Sequence, residues 1–127
     1  MPLLGHGIDI VEVSRIESFL ADPEQDFVTA SFTAKEQQLA GGTHLRPQYF
    51  AGRLAAKEAV VKALGTGFRG DICWTDVEIG RSDSGAPTVK LAGEALAVAS
   101  ALGVTRWHLS ISHGIDYAVA SAIAEAA

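Results

Sequence analysis

The segment that most constrains this chain is an alanine-rich helix running from about Pro47 to Leu64 and stopping at a glycine turn, GTG, at residues 65–67. Shorter elements are read on either side of it. LLGHGIDIVEV alternates Leu4, Ile8 and Ile10 against Gly5, Gly7, Asp9 and Val11, the period of two of a strand. Asp9 falls on the glycine-bearing face, where small neighbours are expected to leave room beside its carboxylate. Ser14 and Glu17 have capping-box spacing and open a short helix holding Ile16, Phe19 and Leu20. Asp22-Pro23 begins a further helical segment, and Thr33 with Glu36 repeats the capping box ahead of the glycines at 41–42. Beyond the long helix, WTDVEIG reads as a strand, RSDSGAP as a turn and TVKL as the hairpin partner. EALAVASAL is a helix closed by Gly103, and TRWHLSIS and YAVASAIA are strands around the turn HGID. The order strand, helices, strands, helix, strands gives an α+β class, with a mostly antiparallel sheet packed against the long central helix, in a single domain over residues 1–127.

Charge narrows the partners. The net charge is -5, with only ten Lys and Arg, so the broad positive field that nucleic-acid backbones require is missing and any anionic partner must meet a local patch. Four of those ten, Arg53, Lys57, Lys62 and Arg69, lie on or beside the central helix. The lone Cys73 excludes an internal disulfide framework and a cysteine-rich metal site, and is read as a buried small hydrophobe. MPLLGHGIDIVEV lacks a basic leader and meets Asp9 and Glu12 early, and no apolar run is long enough to span a bilayer; the expectation is a cytoplasmic protein with neither a membrane nor a nucleic-acid partner.

On the central helix Glu58 stands over Leu54 and beside Lys62, while Arg53 and Lys57 form a second row. Two readings of Glu58 follow: an exposed i, i+4 salt bridge to Lys62 worth about 0.3–0.5 kcal/mol, or a carboxylate at a ligand site. The GTG turn lets a ligand approach the backbone, and Arg69 follows it. It is not a Walker motif, because the glycines come after the helix, whose C-terminal dipole disfavours anions. Cationic side chains or a metal would therefore carry phosphate binding. A Mg²⁺ site uses one or two carboxylates with waters and phosphate oxygens, for which Glu58 and Asp9 are candidates.

GIDIVEVSRIE near the N-terminus and FAGRLAAKEAVVKALGTG in the middle, with GAP at 85–87 and SISHGIDYAVA at 110–120, resemble the holo-acyl-carrier-protein synthases, the small type of 4'-phosphopantetheinyl transferase. The resemblance spans nearly the whole chain. It implies that coenzyme A is the substrate, that its phosphopantetheine arm passes to a serine of acyl carrier protein, and that adenosine 3',5'-bisphosphate leaves. It implies Asp9 and Glu58 as Mg²⁺ ligands and Lys62 as a cation near the diphosphate. Coenzyme A would also meet Arg53, the turn at Gly65 and Gly67, the turn at Gly85 and Pro87, and Ser112 with His113. Arg15 matches a position that touches acyl carrier protein. Members of this small type are homotrimers, so the active site is expected between subunits, with Asp9, Glu58 and Lys62 of one chain facing Gly85, Pro87 and His113 of its neighbour. The acceptor of the serine proton stays open among Glu58, a water at the metal and His113.

Three departures from the family pattern stand out: TASFT at 29–33 lacks a basic residue, Gly114 follows His113 where a hydroxyl residue is common, and Ala86 replaces a frequent Lys. His113 by itself, without the resemblance, reads as a turn histidine with its ring hydrogen-bonded to backbone. His6, His44 and His108 are read as structural or exposed, and Trp74 and Trp107 as strand residues packed in a sheet. Two other function classes use the same residues: a non-catalytic coenzyme A or nucleotide-binding module, and a Mg²⁺-dependent phosphohydrolase with water as acceptor.

Overall fold

A computed structural model of the chain describes residues 2–41 and 46–127, so His44 lies outside the described residues. The elements run β1 (Leu3–Glu12), α1 (Val13–Ala21), α2 (Phe27–Ser31), α3 (Ala34–Ala40), α4 (Arg46–Ala63), a single 3-10 turn (Trp74–Asp76), β2 (Val77–Arg81), β3 (Pro87–Leu91), α5 (Gly93–Leu102), β4 (Arg106–His113) and β5 (Tyr117–Glu125). All strand pairs are antiparallel: β1, β5 and β4 form one sheet with β5 in the centre, and β2 with β3 forms a separate hairpin. The class is α+β, as the element order implies.

Helix α4 lies across the inner face of the three-stranded sheet. Ala51, Ala55, Ala56, Ala59 and Ala63 are buried on it, and so are Ala118, Ala120 and Ala122 of β5, so the two surfaces meet through small side chains. The glycines of β1 carry this contact furthest. A Cβ on Gly5 or Gly7 would penetrate the carbonyl oxygens of Ala63 and Ala59 respectively. They do not leave room beside Asp9, as the sequence suggested; the helix backbone fills that room, and the close approach brings α4 alongside Asp9.

The aromatic side chains form a second core layer, with Phe19, Phe27, Phe32, Phe50 and Tyr49 in consecutive ring contacts 4.6–5.6 Å apart. Through this layer runs a buried ion pair. Lys57 Nζ donates to Glu36 Oε1 at 2.8 Å and to the carbonyls of Trp74 and Val77, while the Glu36 carboxylate accepts the amides of Thr33 and Ile79 at 2.8 Å each. Burial lowers the Lys57 pKa, and the Glu36 charge opposes that shift. The pair ties α3, α4 and β2 together, so Lys57 does not join a surface patch with Arg53. The Thr33–Glu36 capping box is present, whereas α1 begins at Val13, ahead of Ser14, with no side-chain cap. Its start is set by the amide of Val13 donating to the carbonyl of Asp116, 2.9 Å away.

Two further readings are corrected. Trp74 sits on the 3-10 turn and stacks on Phe68 with ring centroids 3.8 Å apart, rather than in a strand. Cys73 is exposed because the chain leaves the core between Ile72 and that turn. The outer face of the three-stranded sheet carries no layer: Ile8 and Ile10 are 59% and 63% exposed, and Ser121 with Val119 and Ser110 with Ser112 lie beside them in register. Among the described residues no helix is long and apolar enough to cross a membrane.

Candidate active site

The contact between β1 and α4 places Asp9, Glu58 and Lys62 together. Lys62 Nζ donates to Asp9 Oδ1 at 2.9 Å and to the Ile8 carbonyl at 3.1 Å. The helix lysine thus pairs with the strand carboxylate and not with Glu58 one turn before it, so the simple i, i+4 salt bridge is not formed. Glu58 is half-buried, and its pKa is raised by desolvation and then by the like charge of Asp9, with Lys62 opposing both. Two carboxylates therefore share one electrostatic environment, with Lys62 paired to Asp9 and acting on the charge of Glu58. Asp9 and Glu58 open on a cavity of about 330 Å³ whose walls include Phe19, Phe27, Leu54 and Trp74. Arg15, on the exposed side of α1, lies at the same cavity with its guanidinium 5.5 Å from the Phe19 ring centroid. The apolar walls carry no signature in the sequence beyond core-like hydrophobicity. Among the described residues there is no cluster of three or more His, Cys, Asp or Glu side chains able to hold a metal. A cation here would rest on the two carboxylates and on ligands from solvent and substrate.

A second group of expected residues converges elsewhere. Arg53, Gly85, Pro87 and His113 line one cavity of about 200 Å³, together with Arg81 and Ile111. The hairpin turn builds one wall: Arg81 ends β2 opposite Pro87, and Gly85 adopts φ 90°, a left-handed conformation that glycine accepts without strain. Strand β4 supplies Ile111 and His113, and α4 supplies Arg53. Ser112 alternates to the opposite face of β4, in register with Val119 and away from His113. Gly65 borders a third cavity with Thr66, Arg69 and Glu94, and Gly65 and Gly67 both have positive φ, 82° and 59°. Sequence reasoning missed Arg81, which it assigned to a turn.

Arg53 and Glu58 are five residues apart on α4, about 140° around the axis. One chain therefore presents its carboxylate site and its arginine cavity on different sides of the same helix.

A family model described as the 4'-phosphopantetheinyl transferase superfamily matches residues 5–121. The chain belongs to that superfamily. It is 47% identical to the holo-[acyl-carrier-protein] synthase of Clostridium kluyveri over 97% of this chain and 90% of that one. The crystal structure of the Neisseria meningitidis holo-[acyl-carrier-protein] synthase matches with a TM-score of 0.86 at 34% identity, over 98% of this chain and 99% of that one. That of the Bacillus anthracis synthase in complex with coenzyme A (3',5'-ADP) matches with a TM-score of 0.81 at 33% identity, covering 98% of each chain. In this member, helix α4 lies on the strand bearing Asp9, with Gly5 and Gly7 of that strand against the helix backbone.

Proposed function

We propose that this chain transfers the 4'-phosphopantetheine group of coenzyme A to a serine hydroxyl of apo acyl carrier protein and releases adenosine 3',5'-bisphosphate. The observation that carries the reading is the convergence of Asp9 and Glu58 at an open cavity, with Lys62 paired to Asp9, in a member of this superfamily. The donor set fits Mg²⁺. The Glu58 pKa is raised by burial and then by the like charge of Asp9, a pairing that a hard divalent cation would relieve, with substrate phosphate oxygens and water as its other ligands. Asp9 and Glu58 hold the ion in this reading, and when bound it neutralises charge on the diphosphate. Lys62, half-exposed beside Asp9, is placed to stabilise negative charge developing on the departing phosphate. Arg15, exposed at the cavity rim, meets the acidic carrier.

The active form is a homotrimer in this proposal. Two observations support it: the uncovered apolar positions Ile8 and Ile10 on the outer sheet face, and the separation of the two half-sites around α4. A neighbour covering that face lets the carboxylate site of one chain and the arginine cavity of the next act on one coenzyme A.

Intact-mass analysis of apo acyl carrier protein incubated with coenzyme A, Mg²⁺ and the enzyme tests the transfer. The carrier gains one phosphopantetheine with the wild-type enzyme and none with Asp9→Asn or Glu58→Gln. Release of bisphosphate without a carrier would identify a hydrolase instead, and coenzyme A binding without either product would identify a binding module.

A further inference from the structure

The β2–β3 hairpin shares no strand pairing with the three-stranded sheet, although its turn lines the cavity that holds Arg53 and His113. Pro87 has no amide, so Arg81 and Pro87 cannot exchange two ladder bonds, and the alternation of an antiparallel pair puts Ile79 opposite Val89 and Val77 opposite Leu91 in the same state. The Val77 carbonyl and the Ile79 amide therefore point away from β3, along the free edge of β2. Both residues are fully buried, where an unmet backbone group is costly. The Ile79 amide donates to Glu36 Oε2 at 2.8 Å, and the Val77 carbonyl accepts from Lys57 Nζ. A carboxylate and an ammonium thus stand where a neighbouring strand would offer a carbonyl and an amide.

Neither Glu36 nor Lys57 lines the carboxylate cavity, the arginine cavity or the cavity at Gly65, so neither is placed to touch substrate. We infer that Glu36 is a positioning residue for the transfer: with Lys57 it replaces the missing neighbour strand of β2 and so fixes the hairpin whose turn walls the coenzyme A side of the site. This rests on the transferase reading, which gives that turn to coenzyme A. Glu36 reaches both walls of the cavity. Its side chain holds β2 two residues before Arg81, and its backbone carbonyl accepts the hydroxyl of Tyr49 at 2.9 Å, the residue whose ring carries the Arg53 guanidinium at 4.5 Å. Lys57 Nζ, 2.8 Å from Oε1, holds the carboxylate in place from α4. The hairpin is thereby docked against the helix by side chains, and the turn at Gly85 and Pro87 moves with that edge.

Glu36→Gln is the selective probe. An amide has one oxygen; setting it at the Oε1 position keeps the bonds from Thr33 and Lys57 and turns the NH2 group onto the Ile79 amide, donor against donor, so the edge of β2 is the contact given up. With apo acyl carrier protein as acceptor, Glu36→Gln should raise KM for coenzyme A, and the calorimetric Kd of coenzyme A, by about 10-fold, with kcat and the carrier KM within about twofold of wild type. A merely structural loss removes folded molecules instead, lowering apparent kcat and leaving both coenzyme A constants unchanged; that result overturns the assignment, as does wild-type behaviour in every constant. The double variant Glu36→Met with Lys57→Met fills the space with apolar side chains and leaves no buried charge. It should show the same raised coenzyme A constants, and wild-type constants in it overturn the proposal. If neither variant folds, amide hydrogen exchange of the wild-type protein decides: an Ile79 amide as protected as the ladder amides of Glu78 and Gly80 supports the anchor, and faster exchange overturns it. A wild type that binds coenzyme A and transfers nothing overturns the transferase reading while the Kd comparison still tests Glu36; a wild type that binds none overturns both.

Discussion

Replacing Gly7 by alanine tests whether the close approach of β1 and α4 positions the carboxylates. The added Cβ would lie 2.9 Å from both the carbonyl carbon of Ala59 and the amide nitrogen of Ala63, and inside the van der Waals envelope of the Ala59 oxygen. These are backbone atoms in the middle of a buried helix, so no side chain can rotate away. Restoring an ordinary carbon–oxygen contact draws the helix back by about 1 Å. Overpacking of this kind costs about 1–3 kcal/mol, against a gain of about 0.4–1 kcal/mol from the reduced entropy of an unfolded chain with alanine in place of glycine. The clash wins, and the thermal midpoint is expected to fall by about 4–8 °C for each net kcal/mol in a small domain. The same retreat moves Glu58 and Lys62 from Asp9, and a 1 Å misplacement costs about 100-fold in rate. Differential scanning at fixed protein concentration and the carrier mass-shift assay measure the two effects. Gly114→Ala is the control for stability, because its Cβ meets nothing within 4 Å and its φ is not positive. A Gly7→Ala protein with an unchanged or raised midpoint and wild-type turnover would refute the argument.

Three other perturbations follow from the same geometry. Lys57→Met leaves Glu36 charged and buried and should cost about 3–5 kcal/mol in urea unfolding, whereas a loss under about 1 kcal/mol would contradict the role of the pair. Because the folded-state pKa of Glu58 is raised, its ionisation works against folding: the contribution is lost as pH rises from the ordinary glutamate range through the raised value, so Glu58→Gln should flatten that decline in metal-free stability while eliminating transfer. An unaltered stability profile in the variant would assign the decline to other groups. Co-expression of Asp9→Asn chains with chains carrying both Gly85→Arg and His113→Ala should restore about a quarter of wild-type activity if each site is built from two subunits; no recovery in demonstrably mixed assemblies would place the site within one chain.

What the sequence made legible was local. The alternation around Asp9, the alanine-rich helix and the Thr33–Glu36 cap each express a periodicity or a hydrogen bond spanning three residues, and each is present. Where the reading departed from the structure, a contact distant in sequence decided the outcome. Ser14 and Glu17 have cap spacing, but the bond to Asp116 accompanies a helix start two residues earlier, with Glu12 at the cap position. Lys57 looks like a solvated cation until Glu36, 21 positions away, is known to sit against it. Nor does spacing alone reveal that Lys62 pairs across 53 positions with Asp9 in preference to Glu58 on its own helix.

Three of the four cations of α4 consequently have separate destinations. Lys57 turns inward and holds the fold, Lys62 faces the carboxylates, and Arg53 faces the hairpin cavity with Arg81. A helix buried on most of its circumference by sheet, hairpin and aromatic layer cannot spread charge over a solvated face, so each cation must find a carboxylate, an aromatic ring or a ligand. Lys57 and Lys62 find carboxylates within the chain. Among the described residues Arg53 meets the Tyr49 ring, and its Nε is left without a hydrogen-bond partner.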